Sequence, residues 1–133
     1  MITFLGSSHA AHHLALAALK RGNMVTFNRD QANVIFISED TPTDDSGKRN
    51  LDPIMELIEI AKKLGKPIVL TSQVPPGFTR SLGIKGIFHQ AETLRMKDAE
   101  DRAFEPDYIA VGGEGELPPT YVRYLYSFGC PVV

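Results

Sequence analysis

GSSHAAHHLALAALKRG, residues 6–22, follows the short apolar run Met1-Ile2-Thr3-Phe4-Leu5. Ile2 to Leu5 reads as a strand. His9 to Arg21 lacks Gly and Pro and is rich in Ala and Leu, which favours helix. Gly22 stops it. A strand, a glycine turn and a helix in that order make the usual dinucleotide loop, in which a pyrophosphate rests on free backbone N–H groups and the helix dipole. The expected G-x-G-x-x-G stands here as Gly6-Ser7-Ser8-His9-Ala10-Ala11, with only the first glycine kept. Gly6 still permits the tight turn. Ser8 puts a Cβ where the second glycine allows close backbone approach, and the Ser7 and Ser8 hydroxyls offer hydrogen bonds in partial compensation. Ala11 is a tolerated substitute for the third glycine. The expectation is weakened, not abolished, dinucleotide binding at Gly6, Ser7, Ser8, His9 and Ala10.

Working outward, strands and helices alternate. Met24 to Phe27 reads as a short strand. Asn33 to Ser38, NVIFIS, is a continuous apolar, β-branched run of the kind found in parallel strands covered on both faces. Residues 41–50, TPTDDSGKRN, form a polar loop. Asp52-Pro53 reads as N-cap and first position of a second helix. Ile54, Leu57, Ile58, Ala61 and Leu64 follow helical spacing to a stop at Gly65. Pro67 to Thr71 is the next buried strand, and VPPGF is a turn that opens a short helix to Leu82. A weak strand at Gly86–Phe88, a helix at Lys97–Phe104, a strand at Tyr108–Val111, a helix from Pro118 or Pro119 to Phe128 and a strand at Pro131–Val133 complete the pattern. The expected fold class is α/β: a three-layer, Rossmann-like, mostly parallel sheet with helices on both faces, reduced in size. Residues 1–133 are expected to make one such domain. Ligands of such sheets bind at the carboxyl ends of the strands, here after Leu5, Ser38 and Thr71.

Bulk properties narrow the function classes. A chain of 133 residues with 43% hydrophobic residues can bury one core. The formal net charge of −2, with no Lys/Arg block, gives no electrostatic reason to expect nucleic acid or an anionic membrane. No apolar run approaches the roughly 20 residues of a membrane-spanning helix, and MITFLG has no basic leader region. A single cysteine, Cys130, excludes an internal disulfide framework and fits a reducing compartment, so a cytoplasmic location is expected.

Three segments, in order, resemble one family. ANVIFISEDTPTDDSGKRNLDPI resembles the strand and Thr-Pro loop of the UDP-glucose/GDP-mannose 6-dehydrogenases. KPIVLTSQVPPGFT resembles their next strand and Pro-Pro-Gly turn, and HQAETLRMKDAEDRAFEPDYIAVGG their Asn-Pro-Glu-Phe-Leu-Arg segment and following strand. The resemblance implies an NAD-binding N-terminal domain of an enzyme that oxidises a sugar C6 alcohol to a carboxylate in two hydride transfers. It implies that Thr41, Pro42, Ser72 and Gln73 line the cofactor cleft, that Glu92 is a retained acid, and that Thr93, Leu94 and Arg95 border a nucleotide-sugar.

The departures are equally specific. Gln73 stands where the family has a water-orienting threonine. Met96 replaces the second glutamate of its Pro-Glu-Phe-Leu-Arg-Glu run, and Thr93 its Phe. The family's catalytic cysteine, lysine and asparagine fall in a part without counterpart here. Cys130 does not match that cysteine and reads as a small core residue. A thiohemiacetal route needs a thiolate nucleophile, so catalysis by this chain alone is not expected. The alternative is a non-enzymatic binding or interaction module on the same scaffold, with a homodimer covering the exposed sheet edge.

Two further readings stay open. The place of the acid that binds the NAD ribose reads Asn28-Arg29, with Asp30 just beyond; Arg29 there would suit the 2′-phosphate of NADP, or simply be a solvated loop residue. Only about six residues join this point to NVIFIS, fewer than the ten or more a parallel crossover takes. So either Met24–Phe27 is not a parallel strand or the adenosine side of the sheet is rebuilt. His9 and His13 share a helix face at metal-binding spacing, but no neighbouring Glu completes a motif; no metal is expected.

Overall fold

The computed structural model describes residues 1–6, 9–39, 45–72, 74–75, 77–91 and 108–133, and for residues 9 and 10 the backbone only. Among the described residues five strands form one sheet: β1 (Ile2–Leu5), β2 (Val34–Ile37), β3 (Ile68–Leu70), β4 (Ile87–Gln90) and β5 (Val111–Gly113), in the order β1-β2-β3-β4-β5. The first four are mutually parallel, and β5 runs antiparallel to β4. Among the described residues four helices accompany them: α1 (His9–Lys20), α2 (Asp52–Leu64), α3 (Phe78–Ser81) and α4 (Pro119–Ser127). This is the expected α/β class, mostly parallel. The expected helix at Lys97–Phe104 lies outside the described residues.

Strand alternation explains the layers. Successive side chains point to opposite faces, so the all-apolar β2 feeds two cores at once. Val34 and Phe36 join Ile2, Val69 and Phe88 beneath α1 and α4, where Ala17, Ala18, Tyr121, Tyr124, Leu125 and Phe128 meet them. Ile35 and Ile37 join Leu5, Ile68, Leu70 and Ile87 beneath α2, which contributes Ile54, Ile58 and Ala61. The register places Ile35 beside Ile68, and Ile68 beside Ile87. Phe36 is fully buried and lies 4.9 Å from the Phe4 ring, 5.6 Å from Tyr121 and 4.9 Å from Tyr124, centroid to centroid. Such pairs add about 0.5–1.5 kcal/mol each beyond their burial.

Several expectations need correction. The strand expected at Met24–Phe27 is reduced to a single parallel bridge between Val25 and Ile2. The cause is turn chemistry immediately after it. The Asn28 N–H donates to Thr26 Oγ1 (3.0 Å), and the Asp30 N–H donates to Asn28 Oδ1 (3.1 Å). These bonds turn the chain into a 3₁₀ helix at Arg29–Gln31. The Asn33 N–H then donates to the Met1 carbonyl (2.8 Å), and the Met1 ammonium donates to Asn33 Oδ1 (2.6 Å). The link therefore passes the amino end of β1 and enters β2 on its other side. Because Val25 pairs only with the first residue of β1, the return path is short, and six residues suffice.

The start of α2 also differs. Leu51, not Asp52, is the N-cap and makes no side-chain cap bond. Asn50 supplies it from one residue earlier, its Oδ1 accepting the Asp52 N–H at 3.1 Å. At the far edge, the strand expected at Pro131–Val133 is a single parallel bridge from Val132 to Ile109. Gly65 ends α2 in the left-handed conformation, as expected.

Candidate functional site

The carboxyl ends of β1, β2 and β3 come together at one rim of the sheet. Gly6 follows β1 with φ of +119°, a conformation open to glycine. A Cβ built on Gly6 would lie 2.0 Å from the Ser38 carbonyl oxygen and 2.8 Å from its carbon. The turns after β1 and β2 are thus in backbone contact, and the Ser38 N–H donates to the Leu5 carbonyl at 2.9 Å. The α1 helix begins three residues after Gly6 and carries no acidic residue in its first turn. Its positive end is not neutralised from within.

The next two strand ends are tied by buried polar groups. Thr71 Oγ1 donates to the Ile37 carbonyl at 3.1 Å. The Glu39 N–H donates to Ser72 Oγ at 2.8 Å. His89 Nε2 lies 3.1 Å from the Ser72 carbonyl oxygen, which only accepts, so that nitrogen carries the proton. Ser38, Thr71, Ser72 and Gln90 are all buried. Each residue of this set for which a bond is described spends it on another strand end or on a helix. Gln90 faces α4, where Tyr121 Oη donates to Gln90 Oε1 at 2.8 Å. Burial raises the pKa of both Tyr121 and Tyr124, that of Tyr124 to about 12 despite its hydrogen bond with Gln90.

Of the residues read as site residues, the structure brings Gly6, the first residues of α1 (His9 and Ala10) and Ser72 to this rim. Ser7, Ser8, Thr41, Pro42, Gln73, Glu92, Thr93, Leu94 and Arg95 lie outside the described residues. Arg29 is placed elsewhere. Its carbonyl accepts from Lys66 Nζ at 2.9 Å, and Lys66 precedes β3. Arg29 therefore sits at the amino end of the sheet, away from the turn after Gly6. His89 and Gln90 were missed as site-bordering residues. The available signal was a polar pair closing a strand otherwise made of Ile and Phe.

One other feature lies apart from the rim. A groove of about 750 Å³, bordered by Arg80, Lys85, Glu114 and Glu116, lies at the amino end of β4. Among the described residues, no three His, Cys, Asp or Glu side chains gather as a metal site, and no helix is long and apolar enough to cross a membrane.

A dinucleotide fits this rim at one end only. The glycine turn and the acid-free first turn of α1 suit a pyrophosphate. The ribose end lacks its acid, because the strand that should carry it stops at Val25 and turns away.

A parallel sheet with a glycine turn between its first strand and first helix defines a Rossmann-like α/β domain. No family model and no curated protein matches the sequence. Solved structures do match in fold. GDP-mannose dehydrogenase from Pseudomonas aeruginosa superimposes with a TM-score of 0.81 at 15% identity, over 99% of this chain and 45% of that one. UDP-D-ManNAc dehydrogenase from Pyrococcus horikoshii gives 0.80 at 13% identity, over 99% and 46%. UDP-glucose dehydrogenase from Pyrobaculum islandicum gives 0.75 at 16% identity, over 99% and 45%. The chain spans less than half the length of these enzymes and has the fold of their N-terminal domain. The resemblance read from the sequence thus holds at the level of fold.

Proposed function

We propose that residues 1–133 form a dinucleotide-binding domain, taking NAD or NADP, of the kind that opens a nucleotide-sugar dehydrogenase. The carrying observation is the Gly6 turn, pressed against the Ser38 carbonyl and followed at once by the acid-free start of α1. On this reading Gly6, Ser7, Ser8, His9 and Ala10 hold the pyrophosphate, and Thr41, Pro42, Ser72 and Gln73 border the nicotinamide side. Glu92 is the retained acid, and Thr93, Leu94 and Arg95 adjoin a nucleotide-sugar. The bound dinucleotide would supply the hydride acceptor. This chain's residues bind and orient it, while the nucleophile for sugar oxidation comes from outside residues 1–133. The domain works in the cytoplasm.

Calorimetric titration with NAD, then NADP, then a UDP-sugar tests the reading. Saturable NAD binding is expected with a dissociation constant of about 0.1–1 mM, or roughly −5 kcal/mol. NADP should bind about as well, since neither an acid nor Arg29 reaches the ribose. No saturation by either dinucleotide at several times that range, roughly 5 mM, removes the proposal.

A second reading, an interaction module, has its own observation. The Ile2 N–H donates to Met24 and the Thr26 N–H donates to Ile2, so the Val25 N–H and C=O point to the open edge of the sheet. Beside them, Met24 is 64% and Phe27 100% exposed. A stable homodimer split by Phe27→Lys, seen by sedimentation, would favour this reading; a monomer at all concentrations would count against it.

A further inference from the structure

We infer that His89 is a positioning residue for the ligand rim, acting through Ser72 on the turn after β2. Four observations carry this. His89 Nε2 donates to the Ser72 carbonyl across 3.1 Å. Ser72 Oγ in turn accepts the Glu39 N–H across 2.8 Å. Glu39 follows Ser38, whose carbonyl is the atom pressed against Gly6. Ser72 is only 4% exposed, so its groups cannot turn to water instead.

The chain of contacts therefore runs from β4 through the end of β3 and the end of β2 to the glycine turn after β1. Each link joins neighbouring strands at their carboxyl ends. The strands themselves carry the linkage only part of the way, because paired register ends at Ile37, Leu70 and Gln90 and the last backbone bonds between the strands leave from Ser38, Thr71 and Ala91. Beyond those residues the backbone needs side-chain partners to hold one conformation. His89 suits the task. It stands on the same face of β4 as Ile87, opposite the face from which Gln90 reaches Tyr121. From that side its ring reaches over Leu70, its neighbour in register, to the residue two places on. Removing the Nε2 donor leaves the buried Ser72 carbonyl short of a partner and frees the segment that fixes Glu39.

The test uses three variants and two readouts. Gln places an amide nitrogen where His has Nε2, Asn places one nearer Nδ1, and Phe keeps the ring shape with no donor. Amide hydrogen exchange at Glu39, followed by NMR, is read first. His89→Phe and His89→Asn should speed it by roughly tenfold, and His89→Gln should leave it near wild type. Dinucleotide affinity is read second and rests on the proposed function. It should fall about fivefold in His89→Phe and recover in His89→Gln. Unchanged exchange in His89→Phe overturns the inference. So does exchange as fast in His89→Gln as in His89→Phe, which would make the ring's packing responsible instead of its hydrogen bond. Wild-type protein that binds no dinucleotide refutes the proposed function, and Glu39 exchange then decides the inference alone.

Discussion

Gly6→Ala should cost about 2–6 kcal/mol of folding stability and remove the proposed dinucleotide binding with it. Two terms combine. Holding a side chain in a sparsely populated positive-φ conformation costs roughly 1–3 kcal/mol. The new Cβ would also meet the Ser38 carbonyl oxygen at 2.0 Å and its carbon at 2.8 Å. Both are backbone atoms of a turn already bonded to Leu5, so relief requires the ends of β1 and β2 to separate. Overpacking of this kind typically costs a further 1–3 kcal/mol, or about that. Domains of this size have about 5–15 kcal/mol in hand, so the variant falls near the limit of folding. Gly22→Ala is the control. Gly22 also has positive φ, +84°, but nothing lies within 4 Å of a Cβ there. It should lose only the conformational term, about 1 kcal/mol. Urea denaturation of both variants separates the terms. Equal losses would mean that the contact with Ser38 carries no cost, and that the turn tolerates a second-position side chain for the same reason.

The contrast between those glycines shows what the sequence makes legible. Gly6 is visible as a turn residue because an apolar run precedes it and a Gly-free run follows. The partner it presses on, Ser38, is 32 positions away and cannot be read from local pattern. Elements whose reading needs only local chemistry came through: β1, α1, β2, β3 and α4 all lie within the spans expected from their apolar spacing. The strand at Met24–Phe27 failed because propensity favours it and the Thr26–Asn28 turn overrides propensity. The direction of β5 was equally invisible, since an apolar run does not encode whether it pairs parallel or antiparallel. Burial of Gln90 and the bond from His89 to Ser72 depend on tertiary partners. A polar residue at a strand end looks the same whether it faces water or Tyr121. The turn proposed to hold the pyrophosphate was legible because such chemistry belongs to backbone amides. The reduction of the second strand to a single bridge showed only as a short interval before NVIFIS, which left open how the chain would manage it.

Alkaline pH should unfold this protein through its tyrosines. Tyr121 and Tyr124 are buried to within 1% of complete and stack at 6.0 Å between centroids under α4. Burial raises both pKa values above the usual 10. For Tyr121 the neighbouring Tyr124 adds to the rise; Tyr124 is pushed up to about 12, with its bond to Gln90 opposing and Cys130 reinforcing. In the unfolded chain both ionise near pH 10. Below that value each is neutral in both states, and their contribution to stability is fully present. Above it the unfolded state releases protons that the folded state keeps, so stability falls as pH rises toward the folded values. Each tyrosine contributes up to about 1.4 kcal/mol per pH unit, so the combined slope starts near half its limit at pH 10 and climbs toward about 3 kcal/mol per unit near pH 11. By pH 11.5 the loss is roughly 4 kcal/mol, comparable with the whole stability of a marginal domain. The urea midpoint should therefore hold steady from these groups up to about pH 9.5 and collapse over the next two units or so. Tyr124→Phe isolates the cause. It should halve the slope attributable to the pair. A slope unchanged in Tyr124→Phe would show that this hydroxyl already reaches water in the folded state, and that α4 packs less tightly on Phe36 and Phe88 than its buried tyrosines indicate.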